Sequence, residues 1–192
     1  MDQRQRCHWV GSDPLYIEYH DAEWGRPAHD DRYLFEMLCL EGQQAGLSWI
    51  TVLRKRENYR RAFHNFALEQ VAAMDEAEID ALLADPGVIR HRGKLSAIRD
   101  NAIAALKLKA EFGSLDAYFW AQVGGQPLRT RIASEPVPAS TELSTRLSKD
   151  LKKRGFRFVG ATTVYAFMQA VGLVDDHAAH CFCRTERVAA GG

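Results

Sequence analysis

A carboxylate in register with an apolar stripe is the first chemical feature of this 192-residue chain. Between Arg32 and Gln44, the residues Leu34, Met37 and Leu38 recur at helical spacing, and Glu41 falls on the same face. Burying a carboxylate alone is costly, so such a residue is paired, hydrogen-bonded or functional; a helix-end glutamate that swings out to solvent is the other reading. Directly after it, Gly42-Gln43-Gln44-Ala45-Gly46-Leu47-Ser48-Trp49 breaks the helix and delivers amides and a tryptophan. A stacking surface and a hydrogen-bonding edge are what a nucleobase swung out of a duplex requires. An ordinary loop between two helices, with Trp49 in the core, has the same composition.

A second group of residues suits phosphate. Lys149, Lys152, Lys153, Arg154 and Arg157 surround the turn Arg154–Gly160, with only Asp150 opposing them locally, and Gly155 and Gly160 mark its two ends. A helix, a glycine-bounded turn and a second helix present free backbone N–H groups at a helix start, a natural anion site. A solvated basic surface between packed helices is the alternative. A third group suits a metal. His177 and Cys181 are spaced i, i+4, which puts both on one helical face, and Cys7 and His20 can supply two further ligands from the N-terminal arm. His8, His180 and Cys183 are adjacent rivals. A closed set of two cysteines and two histidines is a structural zinc pattern, since no coordination position stays open.

These residues need elements to hold them. The first 27 residues read as irregular but aromatic, with Ser12-Asp13-Pro14 a turn or helix start. Asp30 or Asp31 caps a helix running to about Gln44, and Ser48 caps the next, from Trp49 to about Phe63. Leu68–Leu83 is amphipathic, ended by Asp85-Pro86-Gly87. A basic connector, Val88–Lys94, leads into a long helix, Leu95–Phe112, and Leu115–Val123 follows. Gly124–Ala139 is a proline-containing loop and the candidate boundary between lobes. Thr141 caps a helix that leads to Thr162–Val171, which Gly172 ends. No alternating strand pattern of useful length occurs, so the fold reads as all-α.

The length suits one domain, or two helical lobes sharing a core. Lysine plus arginine equals aspartate plus glutamate, 25 each, which excludes a globally basic nucleic-acid binder but not a local basic face. No apolar run approaches the ~18 residues of a membrane span. Four cysteines without a signal peptide fit a reducing, cytoplasmic setting, where metal binding or burial is favoured over disulfides.

Several stretches together carry a resemblance. They are Asp13-Pro14-Leu15-Tyr16-Ile17, His20-Asp21-Ala22-Glu23-Trp24-Gly25, Leu34 to Trp49, Ile89-Arg90-His91-Arg92-Gly93-Lys94 and Lys152 to Gly160. From Cys7 to Cys183 the chain resembles the 3-methyladenine DNA glycosylase I family. The hairpin ending at Gly160, followed by Val174-Asp175-Asp176-His177, is similar to that of the wider helix-hairpin-helix DNA glycosylases. The resemblance implies a helix-hairpin-helix glycosylase-like fold over residues 1–184, with residues 146–177 carrying the hairpin; residues 185–192 read as a disordered tail from their terminal position. It implies hydrolysis of the N-glycosidic bond of 3-methyladenine in alkylated double-stranded DNA, with release of the free base, by a monomer. Glu41 would accept a hydrogen bond and supply negative charge, Trp49 would stack, and Tyr16, Tyr19, Trp9 and Trp24 would complete the walls. Lys152, Lys153, Arg154, Gly155 and Gly160 would grip phosphates, and Gln44, Gly46 and Leu47 would fill the gap left by the flipped base. A structural zinc held by Cys7, His20, His177 and Cys181 would tie the N-terminal arm to the C-terminal region.

The chemistry is consistent with that set. Methylation at N3 makes adenine cationic and the glycosidic bond weak, so selecting a cation-like base matters more than acid catalysis. Relatives that also cut the backbone carry a lysine where this chain has Thr162, which argues against a Schiff-base lyase. Family members typically have asparagine where this chain has Asp175; a helix cap and a sugar-stabilising carboxylate are the two readings of that residue. A zinc-stabilised DNA-binding module without chemistry is the competing function, but it gives Glu41 no role among aromatics.

Overall fold

In the computed structural model, residues 4–129 and 136–184 are described, and among them the chain is all-helical, with no strand. The helices are α1 (Pro14–Ala22), α2 (Asp31–Gln43), α3 (Trp49–Leu53), α4 (Arg56–Ala62), α5 (Leu68–Ala72), α6 (Glu76–Ala81), α7 (Arg92–Phe112), α8 (Leu115–Ala121), α9 (Glu142–Lys153) and α10 (Ala161–Ala170).

The starts are written in the sequence. Asp30 accepts from the Tyr33 N–H, Ser114 from Ala117, and Thr141 forms a capping box with Ser144. Other boundaries differ from expectation. The N-terminal 27 residues are not irregular throughout: Asp13 and Pro14 start α1, Asp13 accepting from the Leu15 and Tyr16 N–H groups. The helix expected over Trp49–Phe63 is two, separated by a turn at Arg54 and Lys55. Leu68–Leu83 is likewise divided, since Asp75 and Glu78 form a capping box that starts α6 afresh. The long helix begins at Arg92, a turn early, because the His91 ring accepts from the Lys94 N–H. Of the loop 124–139, residues 130–135 lie outside the described residues, and Leu128 forms an isolated parallel bridge with Val174.

At the centre lies α2, which packs on α3, α7, α8 and α10. From Leu34 to Gln43 every residue is buried. A helix buried all round must satisfy its polar side chains. Glu36 takes bonds from Arg60 at 2.7–3.1 Å, and Gln43 bonds Tyr59 and the Lys94 carbonyl. Among the described residues, nothing donates to Glu41. The turn between α9 and α10 is locked from both sides. Asn101 brackets the Arg157 backbone, accepting from its N–H at 2.7 Å and donating to its carbonyl at 3.1 Å, and Ser148 donates to the Val159 carbonyl at 2.6 Å.

Candidate active site and metal centre

Glu41 stands at the wall of a cavity of about 790 Å3. α2 brings the carboxylate; α1 brings Tyr16 and Tyr19; the N-terminal turn brings Trp9; Trp24 follows α1; Trp49 opens α3. The ring centroids lie 4.8 Å apart for Trp9–Tyr16, 5.1 Å for Trp9–Trp24 and 5.6 Å for Tyr19–Trp49. All five aromatics expected near Glu41 therefore line one cavity with it.

The electrostatics of the cavity are set by burial. Burial pushes the Glu41 carboxyl up to about 8. Burial first, then the Glu41 charge, holds the Tyr19 phenol well above its ordinary value, so it stays a neutral O–H donor. The Tyr19 hydroxyl and the Trp49 Nε1–H are buried without a partner. Two orphaned donors and one orphaned acceptor facing an aromatic cavity are complementary to a flat ring bearing both acceptors and donors, and the carboxylate favours a cation.

Asp176 and Gln169 also line the cavity, and sequence reasoning passed over both. Asp176 is buried and accepts from Tyr165 Oη and from Gln169 Nε2, the latter at 2.9 Å. Asp175, by contrast, is not among the lining residues. The helix it was expected to cap is absent: residues 175–184 are not helical, so His177 and Cys181 do not share a helical face. Asp175 instead contacts the His177 Nδ1 at 2.8 Å and accepts from the His177 backbone N–H at 3.3 Å, while Arg129 Nε lies 3.3 Å from its other oxygen.

The expected DNA-facing residues fall in two places. Gln44 lines the cavity, Gly46 turns the chain at φ +78°, and Leu47 is 42% exposed. Lys152 and Lys153 are exposed at the end of α9, Gly155 makes the turn at φ +98°, and Gly160 opens α10 without a side-chain cap. Arg154 is engaged within the protein. It pairs with Asp150 and Glu111 at 2.7 Å and lies over the Phe112 and Tyr118 rings.

The ligand atoms of His20, His177, Cys181 and Cys183 all lie within 4.8 Å of one another. Cys183, a rival in the sequence, thus joins the group where Cys7 was expected. Cys7 is nevertheless at hand: it is buried with Cys181 in one small cluster, and its Sγ accepts from the Ala178 N–H at 3.4 Å. Each histidine turns Nδ1 to a carboxylate, His20 to Asp21 and His177 to Asp175, both at 2.8 Å. That leaves each Nε2 facing the cysteines, His20 Nε2 being 3.4 Å from Cys181 Sγ. The His177 Nε2 is buried with no partner. Burial holds His20 below its ordinary value, which keeps the imidazole neutral. An orphaned nitrogen beside thiols, with carboxylates behind both rings, fits a divalent metal of the zinc type.

A buried carboxylate in an aromatic cavity of an all-helical chain has the chemistry to suit an electron-poor heteroaromatic base, and residues 9–184 match the methyladenine glycosylase family model. The chain belongs to that family. It is 55% identical over 180 residues to DNA-3-methyladenine glycosylase 1 of Escherichia coli (strain K12), covering 93% of this chain and 96% of that protein. With DNA-3-methyladenine glycosylase of Haemophilus influenzae it shares 52% over 181 residues, covering 94% and 98%. A crystal structure of 3-methyladenine DNA glycosylase I superposes with a TM-score of 0.91 at 57% identity, covering 94% of this chain and all of that one. A Staphylococcus aureus 3-methyladenine DNA glycosylase I, solved to show the structural basis of 3-methyladenine recognition, gives 0.89 at 42% identity, covering 94% and 97%.

Proposed function

We propose that this protein is a DNA glycosylase of base excision repair that hydrolyses the N-glycosidic bond of 3-methyladenine in alkylated DNA. The observation that carries the reading is Glu41: a carboxylate on the buried stretch of α2, without a donor among the described residues, at the wall of a cavity lined by aromatics. A cationic methylated base supplies the missing positive charge, and the surrounding rings favour its cation-like face. Neutral adenine brings no such charge and keeps its pairing and stacking in the duplex, so extruding it costs more and gains less. Thr162 offers no amine at the start of α10, consistent with hydrolysis by water and no lyase step.

Within this reading, Glu41 is the catalytic and charge-complementing residue, and Trp49, Tyr16, Tyr19, Trp9 and Trp24 bind the base. The α9–α10 turn acts as the helix-hairpin-helix element on double-stranded DNA: Lys152 and Lys153 meet phosphate, and the free N–H groups after Gly160 receive a phosphate oxygen. Arg154 and Gly155 shape that turn. Gln44, Gly46 and Leu47 enter the space of the extruded nucleotide. Residues 1–184 act as a single domain and the protein works as a monomer; the continuous core from Tyr19 to Val174 supports the first. No helix among the described residues is long and apolar enough to cross a membrane.

The metal we propose is one structural zinc, bound by His20, His177 and Cys181, with Cys7 as the fourth ligand from the N-terminal arm. Cys183 is a second reading for that place, favoured by its position in the cluster. A closed site of this kind supplies cross-linking and no catalysis. The test of the function is release of free base from methylated duplex DNA. Parent protein is expected to release 3-methyladenine and leave an unbroken abasic strand. No release, with tight DNA binding intact, would leave only a DNA-binding module.

A further inference from the structure

Lys94 is buried, 6% exposed, at the start of α7, and no carboxylate pairs with it among the described residues. A buried ammonium without a counter-ion is costly, so it needs a compensating role. Its Nζ donates to two carbonyls at the end of α2 and in the loop beyond, Gln43 at 2.9 Å and Ala45 at 2.6 Å. A cation there also meets the negative end of the α2 dipole. The same two segments are joined by a ring of bonds. The Ile89 N–H donates to Tyr59 Oη at 3.0 Å, Tyr59 donates to Gln43 Oε1 at 3.0 Å, and Gln43 Nε2 donates to the Lys94 carbonyl at 2.9 Å. The segment so held carries Gln44 into the cavity, turns at Gly46, and leaves Leu47 exposed.

We propose that Lys94 is a positioning residue for duplex opening: through the Gln43 and Ala45 carbonyls it fixes the Gln44–Leu47 loop in the shape that replaces the extruded base. The inference rests on the glycosylase reading and on that loop entering the duplex. It assigns Lys94 no part in holding the base once flipped, because its bonds go to backbone oxygens and not into the cavity. Loss of the ammonium therefore weakens the step that unpairs and unstacks, a step that a single-stranded substrate does not require.

The test compares excision from one oligonucleotide carrying 3-methyladenine, single-stranded and annealed to its complement. Lys94→Met, which keeps the aliphatic stem, is expected to lower kcat/KM on the duplex tenfold or more. Excision from the single strand and the Kd for free 3-methyladenine should stay within threefold of the parent. If that variant does not fold, Lys94→Gln, which keeps one donor, should show the same split to a smaller degree. Equal loss on both substrates, or no loss on the duplex, overturns the proposal. Leu47→Ala and Gln44→Ala, run alongside, separate the two ideas. If they alter the duplex-to-single-strand ratio and Lys94→Met does not, Lys94 is merely structural. If they leave the ratio unchanged, the loop does not open the duplex and the proposal falls with it. Absence of any base release by the parent protein would instead refute the glycosylase reading itself.

Discussion

Glu41 is the residue at which stability and recognition oppose each other. With its carboxyl held up to about 8 by burial, it keeps a proton in the folded protein that the unfolded chain releases near the ordinary glutamate value. The folded state thus binds more protons between those two values, and stability falls as pH rises through that window. Glu41→Gln removes the effect and is expected to melt higher than the parent at pH 8–9, by at least ~3 °C, with the difference vanishing near pH 4. Function runs the other way. Only the ionised carboxylate complements a cationic base, so kcat/KM should rise with pH to a plateau above about 8. In Glu41→Gln the rise should disappear and 3-methyladenine binding should weaken about tenfold or more, the worth of a charged hydrogen bond. A pH profile identical in parent and variant would remove Glu41 from the chemistry.

At the scale of elements, the α9–α10 turn shows how a basic segment divides its labour. Arg154 and Arg157 are committed to Asp150, Glu111 and Asp100, which stiffens the turn, while Lys152 and Lys153 project from the end of α9. Each lysine that meets a phosphate releases about one counter-ion, so Lys152→Ala and Lys153→Ala should each lower the salt slope of DNA binding by about one. Excision at low salt should change less than excision at high salt. Arg154→Ala is expected to lower Tm through lost packing on Phe112 and Tyr118 and to leave the slope nearly unaltered. An unchanged slope in both lysine variants would make this a solvated surface only.

At the scale of the whole molecule, the arm before α1 meets the chain after Val174 beside the cysteine–histidine cluster, the Ala178 N–H donating to Cys7 Sγ and the Phe182 N–H to the Gln5 carbonyl. If the cluster holds the proposed zinc, a chelator should lower Tm and free the arm, measurable as protease sensitivity before Pro14. Cys7→Ser and Cys183→Ser, compared for zinc per chain, decide the fourth ligand: the one that lowers stoichiometry or affinity holds it. Asp175→Asn should weaken metal affinity by about 10–100-fold, as the loss of a carboxylate behind a ligating histidine does. Excision by the metal-loaded Asp175→Asn protein should remain within about tenfold of the parent; a fall of a hundredfold would give Asp175 a direct role at the sugar.

The sequence by itself determined the helical class, most helix starts and the placing of Glu41 and Trp49 on either side of one short loop, because caps, apolar periodicity and short spacings are local properties; Tyr16, Tyr19, Trp9 and Trp24 were reached only through the family resemblance. Asp13, Asp30, Ser114 and Thr141 act where short-range hydrogen bonding places them. Only the tertiary structure decided what depends on burial and on distant partners. Periodicity alone allowed Glu41 to swing out to solvent; α2 is enclosed by four other helices, so it is buried. Spacing alone put His177 and Cys181 on a helical face; the segment is pinned to Leu128 and to the N-terminal arm, and non-local bonds replace the helix. Lys94 read as one more base in a charged connector. Its burial and its two carbonyl partners, 49 and 51 residues away, exist only once α7 lies against the end of α2, and no local pattern encodes such a contact.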